Sequence, residues 1–157
     1  NGLTDKIVTL KDFLLTFGAK NLTFAIELKD SGAAEIVADL IRKYDLQKKT
    51  TVTSFKYDAL CRVREYAPEL KTGYLTGVVD EAMLARMCAD GIDELCPKAA
   101  IVTAENVRIW HRMGFNVRAW GVADESLMRR VYEAGADGMT VNFPDRLFQY
   151  VNGYRDY

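Results

Sequence analysis

An acidic and a basic side chain lie two positions apart in the apolar segment Phe24–Lys29. A carboxylate such as Glu27 can bind a hard divalent cation, and an ammonium such as Lys29 can neutralise an oxygen of a phosphate group. The same two side chains could equally form a simple ion pair at the end of a strand. The residue types and their spacing leave these two interpretations equally open.

The alternation of apolar and polar residues in this segment predicts a β-strand over Thr23–Lys29. Successive side chains of a strand point to opposite faces, so Glu27 and Lys29 share one face with Ala25. The other face carries the apolar residues, which are Phe24, Ile26 and Leu28. The charged pair is at the carboxyl end of the strand, where parallel β/α barrels build their active sites. We therefore expect Glu27 and Lys29 to project into a barrel interior at that rim.

Strands alternate with single helices along the whole chain, which indicates β-α-β units and a parallel sheet. The predicted strands are Thr23–Lys29, Thr50–Phe55, Gly73–Thr76, Ile92–Cys96, Asn116–Val122 and Asp137–Asn142. The predicted helices begin near Thr9, Ala33, Tyr57, Asp80, Thr103, Asp124 and Pro144. A closed barrel and an open doubly wound sheet both satisfy this order. An open sheet of receiver type would need an acidic cluster after its first strand, and Asp30 alone does not provide one.

The composition is that of one ordinary globular domain over residues 1–157. The formal net charge is -1, so no basic surface for nucleic acid is expected. No apolar run approaches the roughly 20 residues that cross a bilayer. The chain has three cysteines, which are Cys61, Cys88 and Cys96. They are odd in number and far apart, which predicts free thiols in a reducing compartment. On that basis a cytoplasmic location is expected.

A series of short motifs is similar to those of the glycerophosphodiester phosphodiesterases. The segment Ile26–Lys29 resembles the Ile-Glu-Ile-Lys strand of that family. Further matches follow in the family's order and spacing: Val8–Leu14, Thr53–Phe55, Ala67–Leu70, Val117–Val122, Gly135–Gly138 and Asn142–Asp145. Each match is short, but the ordered series covers almost the whole chain.

The resemblance implies a parallel β/α barrel of the TIM type, of which this chain is the C-terminal portion without the first strands. It implies a hydrolase of lipid metabolism that converts glycerophosphodiesters, as small-molecule substrates, to glycerol 3-phosphate and an alcohol. Glu27 takes the role of a ligand to Ca²⁺ or Mg²⁺, and Lys29 faces the phosphate. Trp120 lies near the glycerol end of the substrate. Ser54 and Phe55 map onto a substrate-contacting strand end, although both are also ordinary strand-end residues.

The chain also departs from the family. Val141 and Asn142 stand where the family has Thr-Asp, and Gly121 and Ala123 stand for its Thr and Asn. Asp145 is interpreted as a charge that stabilises the first turn of a helix rather than as a site residue. These losses slightly favour an alternative, in which a degenerate barrel that lost its chemistry acts as a binding or oligomerisation module.

The family's His-Arg-Gly strand, with its catalytic histidine, has no counterpart in this sequence. His111 is the single histidine, and its predicted place is inside a helix, away from strand ends. We therefore expect no catalytic residue in this chain, an inactive isolated chain and an incomplete metal site. Exposed sheet edges predict either a homo-oligomer or a missing N-terminal segment that completes the barrel. The family has three further strands upstream, and together with the six predicted strands they would make nine, one more than the eight of a barrel. One predicted strand, Gly73–Thr76 or Ile92–Cys96, is therefore expected not to belong to the barrel.

Overall fold

The computed structural model describes residues 7–153, which form six strands and seven α-helices. The strands are β1 (Phe24–Glu27), β2 (Thr50–Ser54), β3 (Lys71–Thr76), β4 (Glu94–Pro97), β5 (Asn116–Ala119) and β6 (Gly138–Met139). The helices are α1 (Leu10–Phe17), α2 (Ala34–Lys43), α3 (Tyr57–Tyr66), α4 (Glu81–Ala89), α5 (Ala104–Arg112), α6 (Glu125–Glu133) and α7 (Pro144–Asn152). The predicted alternation of strands and helices is confirmed.

All six strands are parallel and lie side by side in chain order, from β1 to β6. The sheet curls: the ring of Phe55, after β2, contacts the ring of Trp120, after β5, across two intervening strands. The described sheet is therefore a curled half-barrel of parallel strands. Within residues 7–153, β1 and β6 are the edges of this sheet.

Strand register fixes which side chains share the concave face. Glu27 pairs with Thr53, Thr53 with Gly73, Gly73 with Glu94, and Glu94 with Asn116. Neighbouring residues of paired parallel strands point to the same side of the sheet. These five positions therefore form one row across the inside of the curve.

The opposite, convex face carries the hydrophobic core beneath the helices. One cluster of buried residues covers β1 and β2 and includes Leu14, Ile41, Val52 and Val63. A second cluster covers β4 and β5 and includes Leu60, Met87, Leu95, Val117 and Val131. Phe24 and Leu28 of the β1 segment are buried on this face and Ile26 packs against the first cluster, as the strand alternation predicts.

Local capping residues set the starts of four helices. Thr9, Asp80, Thr103 and Asp124 each accept a hydrogen bond from a backbone N–H in the first helical turn through a side-chain oxygen, which satisfies a donor that the helix itself leaves unpaired. Helix α7 instead begins with proline, and Asp145 supplies the negative charge of its first turn, as expected from the favourable interaction of an acid with a helix N-terminus.

The prediction that Gly73–Thr76 or Ile92–Cys96 is not a barrel strand is wrong for the sheet described. The first belongs to β3, which pairs with β2 and β4, and the second to β4, which also pairs with β5. Gly73 does not interrupt β3, since the Glu94 carboxylate takes the space that a side chain would fill. Pro97 does not remove a needed bond, because it lies at the end of β4.

Strands β1, β5 and β6 are each shorter than predicted by three residues or more. Strand β1 ends at Glu27, although the Leu28 N–H still donates to the Thr53 carbonyl at 2.7 Å. Strand β5 ends at Ala119, just before Gly121 adopts a positive φ of 69°, and β6 has only two residues. Among residues 7–153, the helices all fall short of the length and apolar character that crossing a membrane requires.

Candidate active site

The charged pair Glu27 and Lys29 lies on the concave face, at the carboxyl end of β1 and just after it. The Lys29 Nζ atom is 2.5 Å from Glu27 Oε1. The Lys29 side chain is 79% exposed and that of Glu27 32% exposed, so the ammonium is open to solvent while the carboxylate is partly sheltered. An ion pair with this exposure contributes little to stability, which leaves both groups available to a ligand.

An aromatic pair continues this surface across the sheet. The rings of Phe55 and Trp120 meet edge to face, with centroids 4.9 Å apart and an interplanar angle of 86°. The Lys29 Nζ atom lies 6.0 Å from the centroid of the Phe55 ring. The pair can offer apolar contact to the carbon-bound hydrogens of a small molecule. Glu27, Lys29, Phe55 and Trp120 therefore form one connected surface, which we call the rim.

Trp120 is held in place by hydrogen bonds to β3, to β4 and to the turn that follows β4. Its indole Nε1 donates to the carbonyl of Thr76 at 3.1 Å, and its backbone N–H donates to the carbonyl of Pro97 at 3.0 Å. Its own carbonyl accepts a hydrogen bond from the N–H of Ala99 at 2.7 Å. The indole is thus a fixed part of the rim rather than a mobile surface group.

Lys98 extends the rim on the far side of Trp120. It forms an isolated parallel bridge with Trp120, and its Nζ atom lies 6.0 Å from the indole centroid. Lys98 is not among the predicted site residues, because the strand was predicted to stop at Cys96, before Pro97. Strand alternation would have predicted its position. It places Glu94, Cys96 and Lys98 on one face, in the same way that it places Glu27 and Lys29 on one face.

Ser54 lies outside the rim. Its side chain is on the convex face and fully buried. The hydroxyl donates to the carbonyl of Leu28 at 2.7 Å and accepts from the N–H of Lys56 at 3.0 Å. Ser54 therefore connects the end of β1 to the end of β2, and its hydroxyl is not exposed on the concave face.

A second polar group lies deeper inside the curve, below the rim. Glu94 Oε2 is 2.9 Å from Arg118 Nη2, and Glu94 Oε1 accepts a hydrogen bond from Asn116 Nδ2 at 2.9 Å. Burial disfavours the charged form of Arg118, but the bonds to Glu94 outweigh it and hold the pKa of Arg118 above its ordinary value. Burial, reinforced by the charge of Glu94, raises the pKa of the Cys96 thiol well above its usual range. The charges of Glu94 and Arg118 therefore compensate each other inside the curve, and the Cys96 thiol beside them is unreactive.

His111 lies at the opposite end of the sheet, near the end of α5. Its Nε2 is 2.7 Å from Asp137 Oδ2, and the same oxygen accepts a hydrogen bond from the N–H of Val117 at 2.7 Å. Asp137 immediately precedes β6, so the contact is at the amino ends of the strands. The single histidine of the chain is therefore not at the rim.

The described residues do not make a complete metal site. Across 7–153, no three or more His, Cys, Asp or Glu side chains group in a way that could hold a metal ion. Glu27 offers one carboxylate, whereas Ca²⁺ and Mg²⁺ take about six or more oxygen ligands. The next acid, Asp30, binds the N–H of Gly32 and lies 4.0 Å from the Lys56 ammonium. Glu27 can therefore serve as one ligand of a larger set, and not as a site alone.

The chain is similar to proteins of one family over nearly its full length. Residues 7–146 match the model of the Glycerophosphoryl diester phosphodiesterase family. A Glycerophosphodiester phosphodiesterase of Caldanaerobacter subterraneus is 28% identical over 155 residues, covering 94% of this chain and 63% of the relative. One of Bacillus subtilis is 26% identical over 166 residues, covering 95% of this chain and 55% of the relative. The chain thus spans about three fifths of the length of these relatives.

Solved structures agree with this fold. A putative glycerophosphoryl diester phosphodiesterase of Silicibacter pomeroyi is 25% identical with a TM-score of 0.82, over 92% of this chain and 55% of that one. A phosphodiesterase of Oleispira antarctica, solved in complex with the product sn-glycerol-3-phosphate, is 21% identical with a TM-score of 0.80, over 91% of this chain and 60% of that one. Because the family model matches most of its residues, this chain belongs to the glycerophosphoryl diester phosphodiesterase family.

Proposed function

We propose that this chain forms the phosphate-binding part of an enzyme that hydrolyses glycerophosphodiesters to glycerol 3-phosphate and an alcohol. The observation that carries the proposal is the exposed Lys29 ammonium on the concave face, beside the Glu27 carboxylate and the Phe55 ring. This is the end of a parallel β/α sheet at which active sites are built. The activity named for the family's members and the product held by the Oleispira antarctica enzyme support the same assignment.

Three rim residues and the buried Ser54 have distinct roles in this proposal. Lys29 binds a non-bridging oxygen of the phosphate and stabilises the negative charge that grows there during the reaction. Phe55 and Trp120 pack against the carbon skeleton of the glycerol, with Trp120 at its far end. Ser54 acts indirectly, because its hydrogen bond to the Leu28 carbonyl fixes the backbone that leads into Lys29.

A divalent cation, Ca²⁺ or Mg²⁺, belongs to the proposal for the complete enzyme. Glu27 would supply one carboxylate ligand. The residues that the structure describes do not group the further ligands that such a cation needs. A bound cation would polarise the phosphate and activate a nucleophile, while the Lys29 ammonium would stabilise negative charge on the phosphate.

The isolated chain is proposed to be inactive. Hydrolysis of a diester needs groups that accept and donate protons near the phosphate. His111 lies at the other end of the sheet in contact with Asp137, and among the rim residues described Glu27 is the one group able to accept a proton, in a carboxylate that is paired with Lys29. We propose that further chain, from a preceding segment or a second copy, pairs with the edges at β1 and β6 and completes both barrel and site.

The alternative function is a binding module that keeps the fold without the chemistry. It is favoured by Gly121, whose backbone has a positive φ at the position where the family's motif has Thr. The two functions make different predictions. A binding module holds the phosphate ester but does not hydrolyse it under any condition, whereas the enzyme part gains hydrolysis when the rest of the barrel is supplied.

The proposal is tested by titrating glycerol 3-phosphate into the 157-residue chain and following amide and indole N–H signals by NMR. Signals at Lys29, Phe55 and Trp120 should shift, and Lys29→Gln should weaken binding about fivefold or more, as expected for loss of a charge-assisted contact. The matched control is Lys56→Gln, which removes a lysine paired with Asp30 and should leave affinity unchanged. Binding that is insensitive to Lys29→Gln would contradict the proposed function.

A hydrolysis assay on the same chain completes the test. A glycerophosphodiester is incubated with Ca²⁺ or Mg²⁺, and release of glycerol 3-phosphate is measured. No turnover is expected from the isolated chain. Turnover at the level of a full-length family member would show that the described rim already contains the groups that move protons, and the proposed inactivity would then be wrong.

A further inference from the structure

Lys98 is placed by the backbone as firmly as the residues with assigned roles. Its N–H donates to the carbonyl of Thr76 at 2.9 Å, and its parallel bridge to Trp120 continues the pairing of β4 with β5. Both side chains therefore leave the sheet on the same, concave side. Its Cγ lies 3.8 Å from the point where Gly121 would carry a side chain, so the stem of Lys98 passes directly over that glycine.

The charge of Lys98 differs from that of the neighbouring lysines. Lys29 is paired with Glu27, and Lys56 lies 4.0 Å from an Asp30 carboxylate oxygen. In the part of the chain that the structure describes, no carboxylate comes within 4.0 Å of the Lys98 ammonium. Its contact is the indole of Trp120, a cation–π interaction that leaves the outer side of the ammonium open.

The rim therefore carries an ammonium group on each side of one aromatic pair. Lys29 lies against Phe55, Lys98 lies against Trp120, and the two rings touch each other between them. A ligand that lies along the rings with a negative group at each end would satisfy both cations. A positive group at the Trp120 end of a ligand would be repelled by Lys98, because the Lys98 ammonium already occupies the indole face that the ligand's cation would need for a cation–π contact.

We propose that Lys98 determines substrate specificity, selecting glycerophosphodiesters that carry a second anionic group and disfavouring those with a cationic head group. This rests on the proposed function, because it takes the diester phosphate to be at Lys29. The second group binds at Lys98 through charge and hydrogen bonds, and the carbon chain between the two anions lies over Phe55 and Trp120. Since the contact is exposed, its effect on affinity is moderate, about threefold to fivefold.

The test compares three diesters in binding to the 157-residue chain, with a metal chelator present to prevent turnover. They are glycerophosphoglycerol, the same diester with a terminal phosphate on its second glycerol, and glycerophosphocholine. Wild type should bind the phosphate-bearing diester about threefold to fivefold tighter than glycerophosphoglycerol, and glycerophosphocholine most weakly. Lys98→Gln should remove both differences and Lys98→Arg should keep them. Lys56→Gln, the matched loss of an ion-paired lysine, should also keep them.

The outcomes separate this inference from the proposed function. If the diesters bind and Lys29→Gln weakens them, but Lys98→Gln leaves the preference unchanged, the role of Lys98 is overturned and the proposed function stands. A wild-type preference for glycerophosphocholine overturns it as well. If no diester binds and Lys29→Gln changes nothing, both proposals are overturned together.

Discussion

Arg118 and Glu94 form an ion pair inside the curve of the sheet, with Arg118 Nη2 2.9 Å from Glu94 Oε2. The Glu94 side chain is only 6% exposed and that of Arg118 18%. The pair joins β4 to β5 on the concave face of the sheet. Removing one partner leaves the other charge poorly solvated, which is far more costly than the small net contribution of the intact pair.

The first prediction concerns this pair. Glu94→Gln should lower the free energy of unfolding by about 3 kcal/mol, since the Arg118 charge then lacks its partner in a shielded site. The measurement is urea unfolding followed by circular dichroism. The double variant Glu94→Leu with Arg118→Met is the control, and it should be more stable than Glu94→Gln because no charge remains buried. A double variant that is less stable than the single one would contradict this account.

The second prediction concerns the space next to Glu94. A Cβ atom on Gly73 would lie 2.9 Å from Glu94 Oε2, closer than such atoms approach each other, and would make a tight contact of 3.0 Å with Thr53 Cγ2. Gly73→Ala should therefore lower the unfolding free energy by about 1–3 kcal/mol through overpacking. Gly77→Ala is the matched control, because within the described part of the chain nothing lies within 4 Å of the added atom. Equal thermal stability of the two variants would show that Glu94 can move aside freely.

The third prediction compares two buried hydroxyls of β2. Ser54 Oγ bonds the Leu28 carbonyl and the Lys56 N–H, whereas the buried Thr50 Oγ1 has no hydrogen-bond partner among residues 7–153. Ser54→Ala should cost about 1–3 kcal/mol, because it leaves buried groups unsatisfied. Thr50→Val should be neutral or stabilising, because it removes a polar atom that has no partner.

Thermal unfolding of both variants checks this contrast. Ser54→Ala should also weaken binding of glycerol 3-phosphate, because the Leu28 carbonyl that it frees belongs to the residue before Lys29. An unchanged affinity in that variant would show that the hydroxyl stabilises the fold without positioning the lysine. A Thr50→Val variant as unstable as Ser54→Ala would contradict the structural distinction between the two hydroxyls.

Much of the fold was predictable because its signals are local. The capping of α4 by Asp80 and of α6 by Asp124 depends on residues three positions apart. The face of Glu27 and Lys29 follows from strand alternation alone. Strand ends were harder to predict, because they depend on pairing with other strands. β6, for example, keeps only Gly138–Met139 of the predicted six residues.

The rim was only partly predictable. Ser54 and Phe55 are consecutive, so strand geometry already requires them to point to opposite faces, and only Phe55 reaches the concave side. The partnership of Lys98 with Trp120 and that of Glu94 with Arg118 join residues more than 20 positions apart. Those contacts depend on strand register, which neither periodicity nor a short motif contains.

Helix α3 is shared by the two hydrophobic clusters of the described chain. Its Leu60 side chain belongs to the cluster beneath β4 and β5, while Ala59 and Val63 belong to the cluster beneath β1 and β2. The two ends of the sheet therefore have largely separate interiors joined through one helix. A local opening that detaches α3 exposes both interiors at once to solvent, so this helix governs whether the molecule unfolds as one cooperative unit or as two.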